Sequence, residues 1–101
     1  GRTGVGTRLI TIQKLRPTLG IAIEGGANTK QPLPRVIQIQ KTGSAALSDL
    51  EVGHVILKVN GRSMEGLLHQ DCARTIAEAF KNKSSSTIEL LVTNTKRNIR
   101  V

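Results

Sequence analysis

Two histidines and one cysteine are the side chains of this sequence best suited to nucleophilic or metal chemistry. His69 and Asp71 stand two residues apart on a predicted helix and point to different sides, so the aspartate does not orient the histidine as a base. Cys72 could meet His69, but no third orienting group is apparent, and a cysteine among apolar helix residues is typically a core residue. One cysteine and two histidines at this spacing are too few for a zinc site. The sequence therefore predicts no enzyme, no metal site and no cofactor.

The backbone around Gly20 offers a different chemistry. Gly20 follows Thr18-Leu19 and precedes an apolar run at residues 21–24. Because glycine lacks a Cβ, the chain there can aim consecutive backbone N–H groups at one point, and such a concavity suits a carboxylate or phosphate. The following strand could extend the hydrogen bonding of a bound peptide. A nucleotide phosphate loop would need a different glycine spacing and a helix N-terminus, and both are missing here.

A stripe on the long predicted helix could face this strand. Ala73 and Ile76 follow His69 by four and seven residues, which places the three side chains on one face of the helix. Packed against residues 21–24, the stripe would make a groove with a polar head and an apolar floor. The alternative interpretation is an ordinary surface histidine at a helix start, and the residues alone leave both open.

Composition excludes several classes of function. The 101 residues make one domain with an aliphatic core, since Phe80 is the single aromatic. One aromatic cannot supply the stacking faces of single-strand nucleic-acid platforms. The formal charge is +8, but five of the fifteen basic residues lie near the termini, which leaves ten against seven acids in between. With no long basic run, we expect no nucleic-acid partner.

The single cysteine excludes an intrachain disulfide and favours a reducing compartment. We expect no signal peptide and no membrane-spanning segment, so that any membrane contact is indirect. Residues 1–6 are predicted to be a flexible linker or cloning remnant, residues 7–95 the domain, and residues 96–101 a flexible basic tail.

Period-two apolar patterns and turn residues predict an α+β domain with six strands and two helices. The strands are predicted at residues 7–13, 21–24, 35–40, 54–59, 62–64 and 87–93, and Asn60-Gly61 is a tight-turn signal. A short helix is predicted at residues 45–48 with Ser44 as its N-cap, and a long helix at residues 68–81. Residues 27–34 are expected to form a mobile loop, and His54 is interpreted as a turn residue.

Four segments in this order resemble the PDZ domain family. Thr18-Leu19-Gly20-Ile21 resembles its carboxylate-binding "GLGF" loop, and Gly43-Ser44-Ala45-Ala46-Leu47 the start of its short helix. Residues 52–61, Val-Gly-His-Val-Ile-Leu-Lys-Val-Asn-Gly, resemble its "GDxILxVNG" segment, and His69-Gln70-Asp71-Cys72-Ala73 the head of its long helix. The resemblance runs from about Arg8 to Asn94. It implies a partly open antiparallel β-barrel or sandwich of five to six strands, capped by one short and one long helix.

The resemblance also implies roles at the closed end of a peptide groove. Backbone N–H groups of Leu19, Gly20 and Ile21 would hold the terminal carboxylate of a ligand, and Lys14 would assist through water. The pocket for the last, aliphatic side chain would be lined by Leu19, Ile21, Ile23 and Ile76. Ala22 would also belong to the groove.

At the other end, the resemblance implies that His69 accepts a hydrogen bond from a Ser or Thr hydroxyl two residues before the ligand's end, the class I preference. Ala73 is small enough to let the peptide lie close. The sequence departs from the family pattern at His54, where Asp is usual, at Ile21, where Phe is usual, and at Leu68, where a capping Ser or Thr is common. The cap of the long helix must then come from elsewhere, or the helix start frays.

The sequence thus predicts a monomeric, non-enzymatic scaffold module that binds C-terminal peptides by strand addition. By resemblance, its partners are tails of membrane receptors, motor or scaffold proteins, and its location is cytoplasmic, at membranes of cilia or stereocilia. Two alternatives remain: a module binding anionic lipid or acidic surfaces through Lys14, Arg16 and the basic tail, and a module that pairs with another domain through a strand edge.

Overall fold

The computed structural model describes residues 6–94. This part of the chain forms six β-strands, one 3₁₀ helix (Ser44–Leu47) and one α-helix, α1 (His69–Lys81). The strands are β1 (Thr7–Gln13), β2 (Ile21–Glu24), β3 (Arg35–Ile39), β4 (His54–Val59), β5 (Arg62–Ser63) and β6 (Thr87–Asn94). The predicted bounds are confirmed for β1, β2 and β4, and differ by one residue for β3, β5, β6 and the start of α1.

All paired strands are antiparallel, in the order β1-β6-β4-β3-β2, with β5 paired to β4. The predicted α+β class with an antiparallel sheet is confirmed. Asn60 and Gly61 both have positive φ, 49° and 83°, at the turn between β4 and β5, as a two-residue hairpin turn requires. The position that matters for the site is β2, which lies at one end of this order and so has one strand edge without a neighbouring strand.

The core is aliphatic, as the composition predicts. Buried residues of β1 alternate with exposed ones, so that Ile10 and Ile12 point inward while Leu9 and Thr11 face outward. From α1 the core takes Cys72 and Ile76, one turn apart on the inner face. Each fully buried aliphatic side chain stabilises the fold by about 1.5–3 kcal/mol relative to exposure. The core is therefore a rigid base for β2 and α1.

The predicted short helix is wrong in its bounds and in its cap. It begins at Ser44, Gly43 is the N-cap residue, and no side chain caps it. Ser44 is instead buried, and its Oγ accepts a hydrogen bond from the Arg16 N–H at 2.9 Å. The hydroxyl thus binds the segment before β2 and not the first turn of its own helix. Gly43 packs directly on the loop before β2, since a Cβ at residue 43 would lie 2.5 Å from the Leu19 carbonyl oxygen.

His54 is a buried residue at the junction of a turn and a strand: its N–H donates to the Glu51 carbonyl at 3.2 Å across the turn, and the predicted start of the strand at this residue is confirmed. It is the first residue of β4 and is only 5% exposed. Its Nδ1 accepts a hydrogen bond from the Glu51 N–H at 3.0 Å, so the imidazole closes the turn that precedes the strand. The His54 side chain thus stabilises the turn by binding the backbone of Glu51, three residues upstream.

Some expectations fall outside the described residues: most of the predicted linker, residue 95, and the basic tail at residues 96–101. Within residues 6–94, no helix is both long enough and apolar enough to cross a membrane.

Candidate functional site

The free edge of β2 is one wall of the candidate site. The Gln40 N–H donates to the Gly20 carbonyl at 2.8 Å, so Gly20 turns this group toward β3, and Ala22, two residues further along, turns its backbone groups the same way. Because backbone groups alternate in direction along a strand, Ile21 and Ile23 turn theirs to the other side. That side has no strand beside it in the described sheet. Ile21 and Ile23 can therefore hydrogen bond to an added strand, whereas the backbone of Ala22 is already used.

The loop before β2 is fixed through its carbonyl groups. Thr18, Leu19 and Gly20 accept backbone hydrogen bonds from Ser44, Ala45 and Gln40 at 2.8–3.0 Å. Among the described residues, no acceptor is hydrogen bonded to the N–H of Leu19 or of Gly20. Two consecutive donors thus lie unpaired at the start of a free strand edge, an arrangement that suits an anion.

Gly20 cannot be replaced here without strain. Its φ is +78°, and a Cβ would lie 2.8 Å from the Cα of Gly43. Both the left-handed conformation and the close approach of the 3₁₀ helix therefore require glycine. The sequence interpretation of Gly20 as a hinge that orients backbone donors fits this geometry.

His69 lies at the opposite end of β2. Its Nδ1 is 2.7 Å from the Gly25 carbonyl oxygen. A carbonyl only accepts, so Nδ1 is the donor in this bond, and in the neutral ring with this tautomer Nε2 is the acceptor nitrogen; the tautomer is inferred from this partner. The ring is half-buried. The structure therefore brings His69 to the edge of β2 with one nitrogen held and the other free to accept a hydrogen bond.

The cap of α1 comes from the loop between β2 and β3. Leu68 is the N-cap residue and offers no side-chain hydrogen bond, whereas the Asn28 Oδ1 accepts from the His69 N–H at 2.9 Å. Ala27 adds a backbone bond from its N–H to the Leu67 carbonyl at 2.7 Å. Sequence reasoning recognised that a cap was missing but did not find Asn28, because its partner is 41 residues away.

Two glycines allow this close approach. Gly25 and Gly26 have φ of 103° and 152°, and a Cβ at Gly26 would lie 2.3 Å from the backbone nitrogen of His69. The glycine pair that was predicted to end β2 thus also allows the end of β2 to contact the start of α1. A cavity of about 620 Å³ opens beside it, lined by Ile23, Glu24, Gly25, Thr29, Lys30, Gln31 and His69.

The groove floor is apolar. Ile21 and Ile23 are half-buried and pack on the core cluster that contains Leu19 and Ile76. Ala73, one turn after His69, is exposed, while Ile76 is 4% exposed. The helix stripe thus runs from a polar head through a small exposed residue to a buried apolar one.

Lys14 follows β1 in the segment that leads to the loop before β2, and its side chain is already engaged. Its Nζ donates to the carbonyls of Asn82 at 2.6 Å and Ser85 at 2.9 Å, just beyond the end of α1. One of its three N–H donors is left for an anion. Its assistance to a carboxylate stays a prediction.

Cys72 has no features of a reactive thiol. It is fully buried, and burial, followed by the negative charge of Asp71, raises its pKa above the ordinary value. The thiol is therefore protonated at neutral pH. Within residues 6–94 no cluster of three or more His, Cys, Asp or Glu side chains could hold a metal ion.

Comparison with known proteins identifies the family. The PDZ domain model matches residues 9–93. Whirlin from Rattus norvegicus is 58% identical over 86 residues, and PDZ domain-containing protein 7 from Mus musculus is 39% identical over 87 residues; each alignment covers 84% of this chain. The chain spans only 9% and 8% of the length of these two relatives.

Solved structures show the same fold. The crystal structure of wild-type TIP-1 superposes with a TM-score of 0.73 at 24% identity and covers 90% of this chain and 89% of its own. The PDZ domain of choanoflagellate GIPC, bound to a B1AR peptide, gives a TM-score of 0.74 at 20% identity and covers 95% of this chain and 98% of its own. With the family model, the relatives and the fold in agreement, this chain belongs to the PDZ domain family.

Proposed function

We propose that this domain captures the C-terminal ends of partner proteins by adding their last residues as a strand along β2. The observation that carries the proposal is the pair of unpaired N–H groups at Leu19 and Gly20, at the start of the free strand edge. A terminal carboxylate would accept from both and from the Ile21 N–H, and the peptide backbone would then pair with Ile21 and Ile23. Related domains support this function: those of choanoflagellate GIPC and SHANK1 have been solved with a B1AR and a GIRK3 peptide.

Class I selectivity is the finer part of the proposal. The proton on Nδ1 of His69 leaves Nε2 as an acceptor, which suits a Ser or Thr hydroxyl two residues before the end of the peptide. The last side chain would lie on the apolar floor of Leu19, Ile21, Ile23 and Ile76 and is therefore aliphatic. We expect a Kd of roughly micromolar, which corresponds to about −8 kcal/mol.

An array of C-terminal peptides tests this selectivity. We expect enrichment of Ser or Thr two residues before the end and of Val, Leu or Ile at the end. Enrichment of apolar residues in place of Ser or Thr would contradict class I selectivity while leaving C-terminal capture intact.

The biological setting follows only by analogy with the relatives. We propose a non-enzymatic scaffold role, with partners among the C-terminal tails of receptors, motors or scaffold proteins, in the cytoplasm at the membranes of cilia or stereocilia. The strand-edge alternative uses the same free edge of β2 with a strand of another domain. Sedimentation at increasing concentration distinguishes the two, because only pairing between domains raises the average mass without added peptide.

A further inference from the structure

Ser44 is a buried polar residue whose hydroxyl makes its hydrogen bonds outside its own helix. It is the first residue of the 3₁₀ helix and is only 1% exposed. Its Oγ accepts a hydrogen bond from the Arg16 N–H at 2.9 Å and donates one to the Arg16 carbonyl at 3.3 Å. A buried hydroxyl is unfavourable unless it is hydrogen bonded, so these two bonds explain how it is tolerated in the interior.

Both bonds go to the segment between β1 and β2, residues 14–20. Within residues 6–94, no other side chain hydrogen bonds to the backbone of this segment. The Ser44 N–H adds a bond to the Thr18 carbonyl at 2.9 Å. Ser44 therefore holds the backbone on both sides of Pro17, whose ring fixes one backbone dihedral. The direction of the chain is thus set just before the two unpaired N–H groups of the loop.

The contact between the 3₁₀ helix and the loop leaves little room for adjustment. A Cβ at Gly20 would lie 2.8 Å from the Gly43 Cα, so the two backbones pack without a side chain between them. Loss of the Ser44 Oγ leaves both Arg16 backbone groups unpaired unless the segment moves away to meet water. Such a movement displaces the N–H groups of Leu19 and Gly20, which follow three and four residues later.

We propose that Ser44 is a positioning residue for the carboxylate site: its hydroxyl fixes the segment so that the N–H groups of Leu19 and Gly20 converge on one anion. This inference rests on the proposed function and adds to it a side chain that does not touch the ligand. Convergent N–H groups bind a charged oxygen more strongly than a neutral one, so Ser44 controls how strongly the terminal charge is recognised. His69 is held by a different contact, the Gly25 carbonyl.

One peptide in two forms, with a terminal carboxylate and with a terminal carboxamide, tests the proposal in Ser44→Ala. The measured quantity is the ratio of the Kd of the amide to the Kd of the acid. Partial unfolding weakens the binding of both forms by the same factor and cancels in this ratio, which therefore reports the site and not the stability of the fold. We expect Ser44→Ala to lower the ratio by about two- to tenfold, the range that corresponds to one hydrogen bond.

Ser48→Ala is the matched control. The Ser48 Oγ donates to the Ala45 carbonyl at 2.6 Å and accepts from the Leu50 N–H at 3.1 Å, so this hydroxyl also makes two backbone bonds, but beside the other end of the 3₁₀ helix. We expect Ser48→Ala to lower the thermal unfolding temperature and to leave the Kd ratio unchanged. Ser44→Cys keeps a weak donor and acceptor and should give a ratio between those of the unaltered domain and Ser44→Ala. The cysteine variant decides the question if the alanine variant does not fold.

An unchanged ratio in the Ser44 variants would overturn the proposal, since the hydroxyl would then support the fold alone. An equal fall in Ser48→Ala would also overturn it, because any loosening of the 3₁₀ helix would then have the same effect. If the unaltered domain binds both peptide forms equally, the proposed capture of a carboxylate fails, and this inference fails with it. The unaltered domain thus distinguishes failure of the proposed function from failure of the role of Ser44.

Discussion

The two ends of the proposed groove would use different chemical groups for recognition, backbone N–H groups at one end and a side chain at the other. At the closed end the proposed recognition groups are backbone N–H groups of Leu19 and Gly20, positioned by a glycine and by hydrogen bonds to their carbonyls. At the open end the proposed recognition group is the His69 imidazole, positioned by the Gly25 carbonyl and by Asn28. A backbone site recognises what every C-terminus has in common, whereas a side-chain site distinguishes among sequences. Affinity should therefore depend on the closed end and selectivity on the open end.

The largest effect is expected at the closed end. Gly20→Val forces a branched side chain into a position with φ of +78° and against the Gly43 Cα. We expect a loss of peptide affinity of about a hundredfold or more, since two hydrogen bonds to a charged group are worth about 1.5–3 kcal/mol each. Backbone strain should also lower the free energy of unfolding by about 1–3 kcal/mol. Calorimetric titration and thermal unfolding measure the two effects.

Gly61→Val is the matched control for this change. Gly61 has a similar φ of 83°, but a Cβ there meets nothing within 4 Å. The control should lose stability and keep its peptide affinity. Retained affinity in Gly20→Val would contradict the role of the loop.

A smaller and selective effect is expected at the open end. His69→Ala removes the acceptor for a Ser or Thr hydroxyl, and one hydrogen bond is worth about 0.5–1.5 kcal/mol, or roughly two- to tenfold in affinity. Peptides with an apolar residue at that position should bind nearly unchanged. Fluorescence titration of a matched peptide pair measures the difference, with the exposed neighbour Gln70→Ala as control. Equal losses for both peptides would refute class I selectivity.

The smallest effect is expected at the loop that positions His69. Asn28→Ala removes the side chain that caps α1, and loss of such a cap costs about 1 kcal/mol of stability. We expect the affinity for Ser or Thr peptides to fall by about twofold as the helix start loosens. Asn28→Asp keeps the acceptor and should restore both properties. Failure of Asp to restore stability in thermal unfolding would show that Asn28 does not act as a cap.

The features of the site that the sequence predicted are those that depend on neighbouring residues, and the features it missed depend mostly on distant ones. Gly20, the apolar run after it and the stripe from His69 to Ile76 are local patterns, and the sequence predicted all three. The roles of Asn28, Ser44 and His54 were not predicted. Asn28 and Ser44 have partners 41 and 28 residues away, and no local pattern reports such a contact.

His54 shows a second reason. Its partner is only three residues away, but the sequence around it favours a turn and does not reveal that the ring is buried. The strand bounds, by contrast, were predicted to within one residue, because the period-two alternation and the Asn60-Gly61 turn are encoded locally. Lys14 combines both cases: its place in the loop was predicted, but its bonds to Asn82 and Ser85 were not.

The most direct test of the central claim compares one peptide in two forms that differ only at the terminus, a free carboxylate and a carboxamide. The amide removes the negative charge and leaves every side chain and every other backbone group in place. If the unpaired N–H groups of Leu19 and Gly20 bind the carboxylate, the amide should bind at least about tenfold more weakly in calorimetric titration, the loss expected for a charge-assisted hydrogen bond. Equal affinity for the two forms would contradict the account.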